Sequence, residues 1–392
     1  MTRDPDGAGG RRTLVRLGVA TALLLVAAAG CGDDPPPADP APATPGGDLG
    51  EGWQRLEDAP LAGRTGASVV GVGTRAYVFG GWEFLCPPNA DCAGPTEPPF
   101  ADGAVLDLET GEWEPMSDAP HGLAYSSTAV LDGDIYVVTT CAGVADCYGR
   151  PELLRYDTTG DTWTELGRMP RGIGSSLVAT DHGLVALSGT YENGREAEAL
   201  FDEETATWDP LPDAPLPRTY DRFAVPDGDR LLVFGSPALE PDEESSTKVA
   251  AAYDFGTGSW TGLPSAPGPG YQVWPAGDRA FLNPHFSEDG GGVLDLRSGT
   301  WGPFPAGPDD PEWRGDMAGL VTAQGATYEY ADGWVLDARD DTWLEVPPRG
   351  GEVYDESVAA AGQALVVFGG QVWEGGDGRL LAETWVWRPP VD

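Results

Sequence analysis

From Gly52 onward, apolar residues come in short bursts of four to six, separated by glycine- and proline-rich turns, and none of the bursts extends to a helical pattern. One stretch shows the template most clearly. It reads Arg64-TGASVVGVGTRAYVF-Gly80-Gly81, then a variable loop, then Ala104-VLDLETGEW and Glu114-PMSDAP. Two strands form a hairpin that ends at a glycine pair; a third strand ends in Asp, and a fourth opens with Trp. Runs that are alternating or continuously apolar over this length suit a sheet packed on both faces. The second half of the template recurs as Asp-x5-Trp, at Asp107/Trp113, Asp157/Trp163, Asp202/Trp208, Asp254/Trp260, Asp295/Trp301 and Asp337/Trp343. After each Trp, two variable residues lead to an apolar one: Met116, Leu166, Leu211, Leu263, Phe304 and Val346. The pattern predicts an all-β repeat protein.

The two ends predict how the repeat closes. The last unit runs from Ser357 through Gly369-Gly370 to Glu383-TWVWRPP and stops one strand short. An orphan Trp53-QR-Leu56 stands near the N-terminus without an Asp before it. Joined, they make a seventh unit, so that no sheet edge is left between first and last. The glycine pair after the second strand and the acidic residue paired with Trp between the third and fourth resemble the Kelch family. The resemblance covers about residues 51–390 and implies an all-β, seven-bladed Kelch-type β-propeller with blade seven closed by the N-terminal strand. The glycine pair is regular at Gly80-Gly81 and Gly369-Gly370; elsewhere it reads Thr139-Thr140, Ser188-Gly189, Gly235-Ser236 and Asn283-Pro284.

The first fifty residues lie outside this pattern. Arg11, Arg12 and Arg16 precede an uncharged Leu17–Gly30 run rich in Ala, Leu and Val, the layout of an export signal over residues 1–30. Its end, Ala28-Ala29-Gly30-Cys31, resembles the lipobox of bacterial lipoproteins, which implies a diacylated Cys31 (palmitate-type chains) and an anchor on the extracytoplasmic side of the cell membrane. Ordinary cleavage to a secreted protein is the alternative, and the Arg pair leaves the general and twin-arginine routes both open. Residues 31–50 then read as a disordered Pro/Ala/Asp tether reaching on the order of 50–60 Å, with the propeller body over 51–392.

Charge narrows the partners. The chain has 392 residues and a formal net charge of −40, with Lys248 its single lysine. Nucleic acid recognition needs a positive footprint that is absent here. The membrane is reached through the N-terminal lipid alone.

Candidate chemistry is sparse. Cys86/Cys92 and Cys141/Cys147 share a five-residue spacing in the same loop of adjacent blades, which predicts two local disulfides in an oxidising compartment. Cross-loop pairing and a thiolate metal site are the alternatives. His121, His182 and His285 are read as solvated loop and turn residues. They lack a ligand spacing, so neither metal nor cofactor is predicted, and no catalytic signature stands in a suitable context.

What remains is a face. The loops between second and third strands share one side and carry the long insertions, 82–103, 141–152, 236–247 and 371–382. On that side Trp82-Glu83 and Trp373-Glu374 are read as exposed aromatics beside carboxylates, able to stack on sugars or a protein. Nearer the axis, Tyr125, Tyr220 and Tyr354 occupy equivalent positions, with Arg64, Asp221, Arg222, Arg314, Asp316, Asp355 and Glu356 close in sequence. These are read as the wall of a wet channel or as a ligand pocket. The function expected is non-catalytic binding of a protein or carbohydrate. A carbohydrate enzyme similar to the sialic acid mutarotases, using a carboxylate or His121, and a structural spacer of the cell envelope are the alternatives.

Overall fold

The computed structural model describes residues 51–390, apart from 89, 125, 140–150, 171–175, 189–197, 239–246, 285–289, 308–319, 324–325, 332–333 and 350. The export signal, Cys31 and the tether therefore lie outside the described residues, as do Tyr125, Cys141, Cys147, His285, Arg314 and Asp316.

Among the described residues there is no helix, and the strands assemble into seven antiparallel four-stranded sheets plus one two-stranded hairpin. Blade one is Ser68–Val72, Arg75–Phe79, Gly103–Asp107 and Trp113–Met116, paired in that order. Blades two to six repeat this order over 127–168, 176–210, 219–263, 270–302 and 320–345. Blade seven takes Ser357–Ala361, Ala364–Phe368 and Thr384–Arg388 from the C-terminal end and Gly52–Arg55 from the N-terminal end. The joining register is Gly52↔Arg388, Trp53↔Trp387, Gln54↔Val386 and Arg55↔Trp385. The fold is a propeller of seven blades, and the orphan Trp53 is the fourth-strand Trp of the last one.

The continuous apolar second strands explain why the blades stack. In blade four, Leu231 and Val233 join a cluster with Val185 and Leu187 of blade three, while Leu232 and Phe234 join one with Val273 and Leu282 of blade five. Successive side chains of a strand point to opposite faces, so a run buried on both faces must be apolar at every position. Seven such clusters follow one another around the ring, and one of them joins Val366 and Val386 of blade seven to Ala76 and Leu106 of blade one.

The Asp-x5-Trp echo has two separate physical causes. Its Asp turns the chain. Asp107 Oδ1 accepts from the N–H groups of Glu109 and Thr110 at 2.8 and 3.2 Å, and Asp157 Oδ1 from Thr159 and Gly160 at 2.9 and 2.8 Å. Asp202, Asp254, Asp295 and Asp337 accept in the same manner. These bonds hold the carboxyls of Asp157 and Asp295 below the ordinary carboxylate range, through Gly160 N–H and Ser298 N–H respectively. Its Trp ties the blade to the one before it. Trp163 Nε1 donates to Ser117 O at 2.9 Å, Trp260 to Pro212 O at 2.7 Å and Trp301 to Pro264 O at 3.0 Å. Trp53 Nε1 makes the same bond to Pro347 O at 2.7 Å, so the N-terminal strand performs the duty of a resident one.

Candidate functional site

The long-loop side is organised by how each glycine pair meets the next blade. Gly80 and Gly81 both have positive φ, 71° and 89°, and a Cβ on Gly80 would stand 2.2 Å from Leu123 O of blade two. Gly369 and Gly370 repeat this with φ of 73° and 90°, and Gly370 N–H donates to Arg64 O of blade one at 2.9 Å. Only glycine combines this backbone conformation with so close an approach.

Immediately after each pair, one residue bridges back to the start of its own blade. Thr65 bridges Trp82 in blade one, and Tyr354 bridges Gln371 in blade seven. The next residue is left-handed in both: Gly66 at φ 63° and Asp355 at 56°, with Asp221 at 48° in blade four. Asp is among the few residues that tolerate this region, so Tyr-Asp in two blades stands where Thr-Gly stands in the first.

This register corrects the paired-tryptophan expectation. The structural equivalent of Trp82 is Gln371, not Trp373. Trp82 is 3% exposed and packs with Ala124 and Phe84, because the bridge turns its side chain under blade two. It is not a solvent-facing platform, although Glu83 beside it is exposed. Trp373 is half-buried and sits in a hairpin, Gln371–Glu374 with Asp377–Leu380, turned by Gly375-Gly376. Its ring lies across its cross-strand partner Gly378, where a Cβ would meet it at 2.7 Å. Glu374 at the hairpin end is exposed.

Gln371 holds this region together. It is 2% exposed. Its Oε1 accepts from Cys86 N–H at 3.0 Å and from Trp373 Nε1 at 3.2 Å, and its Nε2 donates to Asp355 Oδ2 at 2.5 Å. Cys86 belongs to the blade-one loop and is disulfide-bonded to Cys92 as expected from their spacing. Tyr354 donates its hydroxyl to Glu352 Oε2 at 2.8 Å, a bond that raises the phenol above its usual range.

The two arginines read as binding residues are buried instead. Arg64 is fully buried: Nη1 donates to Asp102 Oδ1 at 2.6 Å and to Gly80 O at 3.0 Å, Nη2 to Asp102 Oδ2 at 3.1 Å, and Nε to Ala62 O at 2.9 Å. Its guanidinium also lies 4.1 Å over the Phe100 ring. These bonds make it the clamp between loop and blade. Arg222 is 3% exposed and forms an ion pair with Glu198, itself 1% exposed, across blades three and four. Burial of a guanidinium requires such a carboxylate. Tyr220 is half-buried opposite Ser236, and Glu356 pairs with Arg349.

Lys248, the single lysine, is buried on the same side. It is 1% exposed, and its Nζ donates to Ser236 Oγ at 2.9 Å and to Asp221 O at 3.3 Å. Burial lowers its pKa to about 8, partly offset by Asp221. Of the histidines, His121 is half-buried with Nε2 3.4 Å from Glu152, and His182 stacks on Phe255 with Nε2 3.1 Å from Asp229. Neither is simply solvated. Among the described residues no group of three or more His, Cys, Asp or Glu is placed to hold a metal ion.

A cavity of about 630 Å³ opens on the opposite, short-turn side, lined in part by Asp132, Asp181, His182, Glu203, Glu204 and Asp209. Sequence reasoning missed it, along with Gln371, Asp102 and Glu198. A signal existed for the Trp373 hairpin, since Gly-Gly between alternating residues marks a two-residue turn.

Residues 63–120 match the family model described as Kelch motif. The chain is similar to Kelch-like protein terF of Aspergillus terreus, at 27% identity over 224 residues, covering 52% of this chain and 44% of that protein. It is also similar to beta-scruin of Limulus polyphemus, at 23% over 176 residues, 42% of this chain and 18% of that protein. The chain thus spans less than half the length of these curated relatives. A solved structure described as "Structure of YjhT" aligns at 13% identity and a TM-score of 0.43, covering 84% of this chain and 95% of that one. The motif match and the Kelch-like relative support a Kelch-repeat family.

Proposed function

We propose that this chain is an exported Kelch-type propeller, lipid-anchored through Cys31, that binds a partner through its long-loop face without catalysing a reaction. The observation that carries this is the construction at the junction of blades seven and one. There the repeat is interrupted by an additional hairpin bearing Trp373 and Glu374, braced from below by Gln371 and from the side by the Cys86–Cys92 loop. An aromatic held by its indole N–H and flanked by carboxylates offers a ring and acceptor oxygens to a sugar or a protein side chain. Polar groups deeper in the blades are engaged by one another, Arg64 by Asp102 and Arg222 by Glu198, so the face and not the channel wall is the contact surface.

A glycan array and a panel of purified envelope proteins, probed with wild type and with Trp373→Ala, test this. Binding weakened at least about ten-fold by the substitution supports the surface, the scale of a lost interface anchor. Binding that survives Trp373→Ala at full strength would remove it from the account. Metabolic labelling with a fatty acid, lost in Cys31→Ser, tests the anchor.

A further inference from the structure

A hydrogen bond from Cys86 ties the Cys86–Cys92 ring to the side chain of Gln371 in the Trp373 hairpin. Gln371 accepts on one oxygen from both Cys86 N–H and Trp373 Nε1, at 3.0 and 3.2 Å, while its nitrogen is committed to Asp355 at 2.5 Å. The blade-one loop is anchored at its two ends, where Thr65 Oγ1 donates to Phe84 O at 3.3 Å and Phe100 N–H donates to Gly81 O at 2.8 Å. Between those anchors the chain is largely irregular, and the disulfide is the covalent constraint that keeps Cys86 facing blade seven. Both cysteines are half-buried and therefore open to a small thiol.

We propose that the Cys86–Cys92 disulfide is a redox-sensitive latch on the Trp373 hairpin, with Gln371 as the positioning residue that transmits its state. The proposal rests on the long-loop face as the binding surface and adds the means of its regulation. A dithiol reductant attacks one sulfur, forms a mixed disulfide, and then closes its own disulfide. Two electrons and two protons pass to the protein, leaving Cys86 and Cys92 as thiols. The released loop no longer holds Cys86 N–H against Gln371. A buried amide oxygen then loses one of its two donors, and the remaining donor is Trp373 itself. The hairpin loosens, and the aromatic surface is less well held for its partner.

Hydrogen exchange of the full chain, followed by mass spectrometry, tests the latch without any ligand. Amides of 371–380 are expected to exchange about five-fold faster in Cys86→Ser/Cys92→Ser than in oxidised wild type, the effect of losing one hydrogen bond. The blade-four strand 259–263 should be unchanged. Gln371→Ala with the disulfide intact should accelerate them at least as much, because it removes the Trp373 and Asp355 bonds as well, and adding the two serines to it should produce no more. Unchanged exchange in 371–380, or additive acceleration in the triple variant, overturns the proposal. Loss of partner binding in Trp373→Ala bears on the binding surface alone, so failure of either idea is distinguishable from failure of the other.

Discussion

Blades one and four are nearly interchangeable on their short-turn side. Asp107 and Asp254 each cap a turn through backbone N–H groups, and Trp113 and Trp260 each donate to a carbonyl of the preceding connection, Glu57 O and Pro212 O. On the long-loop side the same two blades use different chemistry. Blade one closes with Arg64 on Asp102 and Gly80, a permanent charge met by a bidentate carboxylate. Blade four closes with Lys248 on a hydroxyl and a carbonyl, a titratable amine without a bidentate acid. A tight hairpin has one backbone requirement and few residues that meet it. A buried loop base needs only that its polar groups find partners, and several combinations do so. The turn side is therefore uniform and the loop side individual.

The largest break in this comparison comes from removing the strand that makes blade seven resemble the rest. Deleting 51–60 removes the four register pairs of Gly52–Arg55 and the Trp53 bond to Pro347 O. The melting midpoint should fall by roughly 10 °C or more, and an unchanged midpoint would refute the ring closure. Next in size, Arg64→Ala removes a fully buried side chain with its bonds to Asp102 and Gly80 O and should cost about 3 kcal/mol in urea unfolding. Arg64→Lys should recover little of it, because a single ammonium cannot reproduce the fork.

Lys248 sharpens the contrast through pH. Below about pH 8 the amine is charged in both folded and unfolded chains, and the cost of burying that charge is fully present. Between about 8 and its unfolded value of 10.5, the unfolded chain holds a proton that the folded chain has released, so stability rises with pH. The gain is on the order of 3 kcal/mol, cut short above about pH 10 by ionisation of unfolded tyrosines, since burial and Glu203 raise Tyr136 in the folded chain. Lys248→Met should flatten the rise; a wild-type profile already flat from pH 7 to 10 would contradict the burial. The smallest effect tests uniformity itself. Trp163→Phe and Trp53→Phe each remove one N–H bond and should each cost about 1 kcal/mol. A loss several times larger at Trp53 would show that the split blade relies on its staple more than a resident blade does.

The long-loop side was the harder one to read. Trp82 and Trp373 look alike in sequence, each followed by Glu and near a Gly-Gly pair. The residue directly after the glycine pair is the one that bridges, which is Trp82 in blade one but Gln371 in blade seven, so Trp373, two positions further on, goes out into a hairpin. Arg64 and Arg222 appear as polar residues near an opening because sequence distance from a strand start is no measure of burial. Asp102 and Glu198, which bury them, lie 38 and 24 residues away.

By itself the sequence determined the all-β class, the seven blades, the positions of the recurring Asp and Trp, the strand borrowed from the N-terminus and the Cys86–Cys92 pair. Each depends on local backbone needs or on a period of two, and these leave their mark within a few residues. Only the tertiary structure decided which side chains of the Asp-x5-Trp protein meet between the repeats. The Gln371 bond to Cys86 spans 285 positions and the Trp53 bond to Pro347 spans 294. Closing the ring brings those ends together, and no local pattern records what they find there.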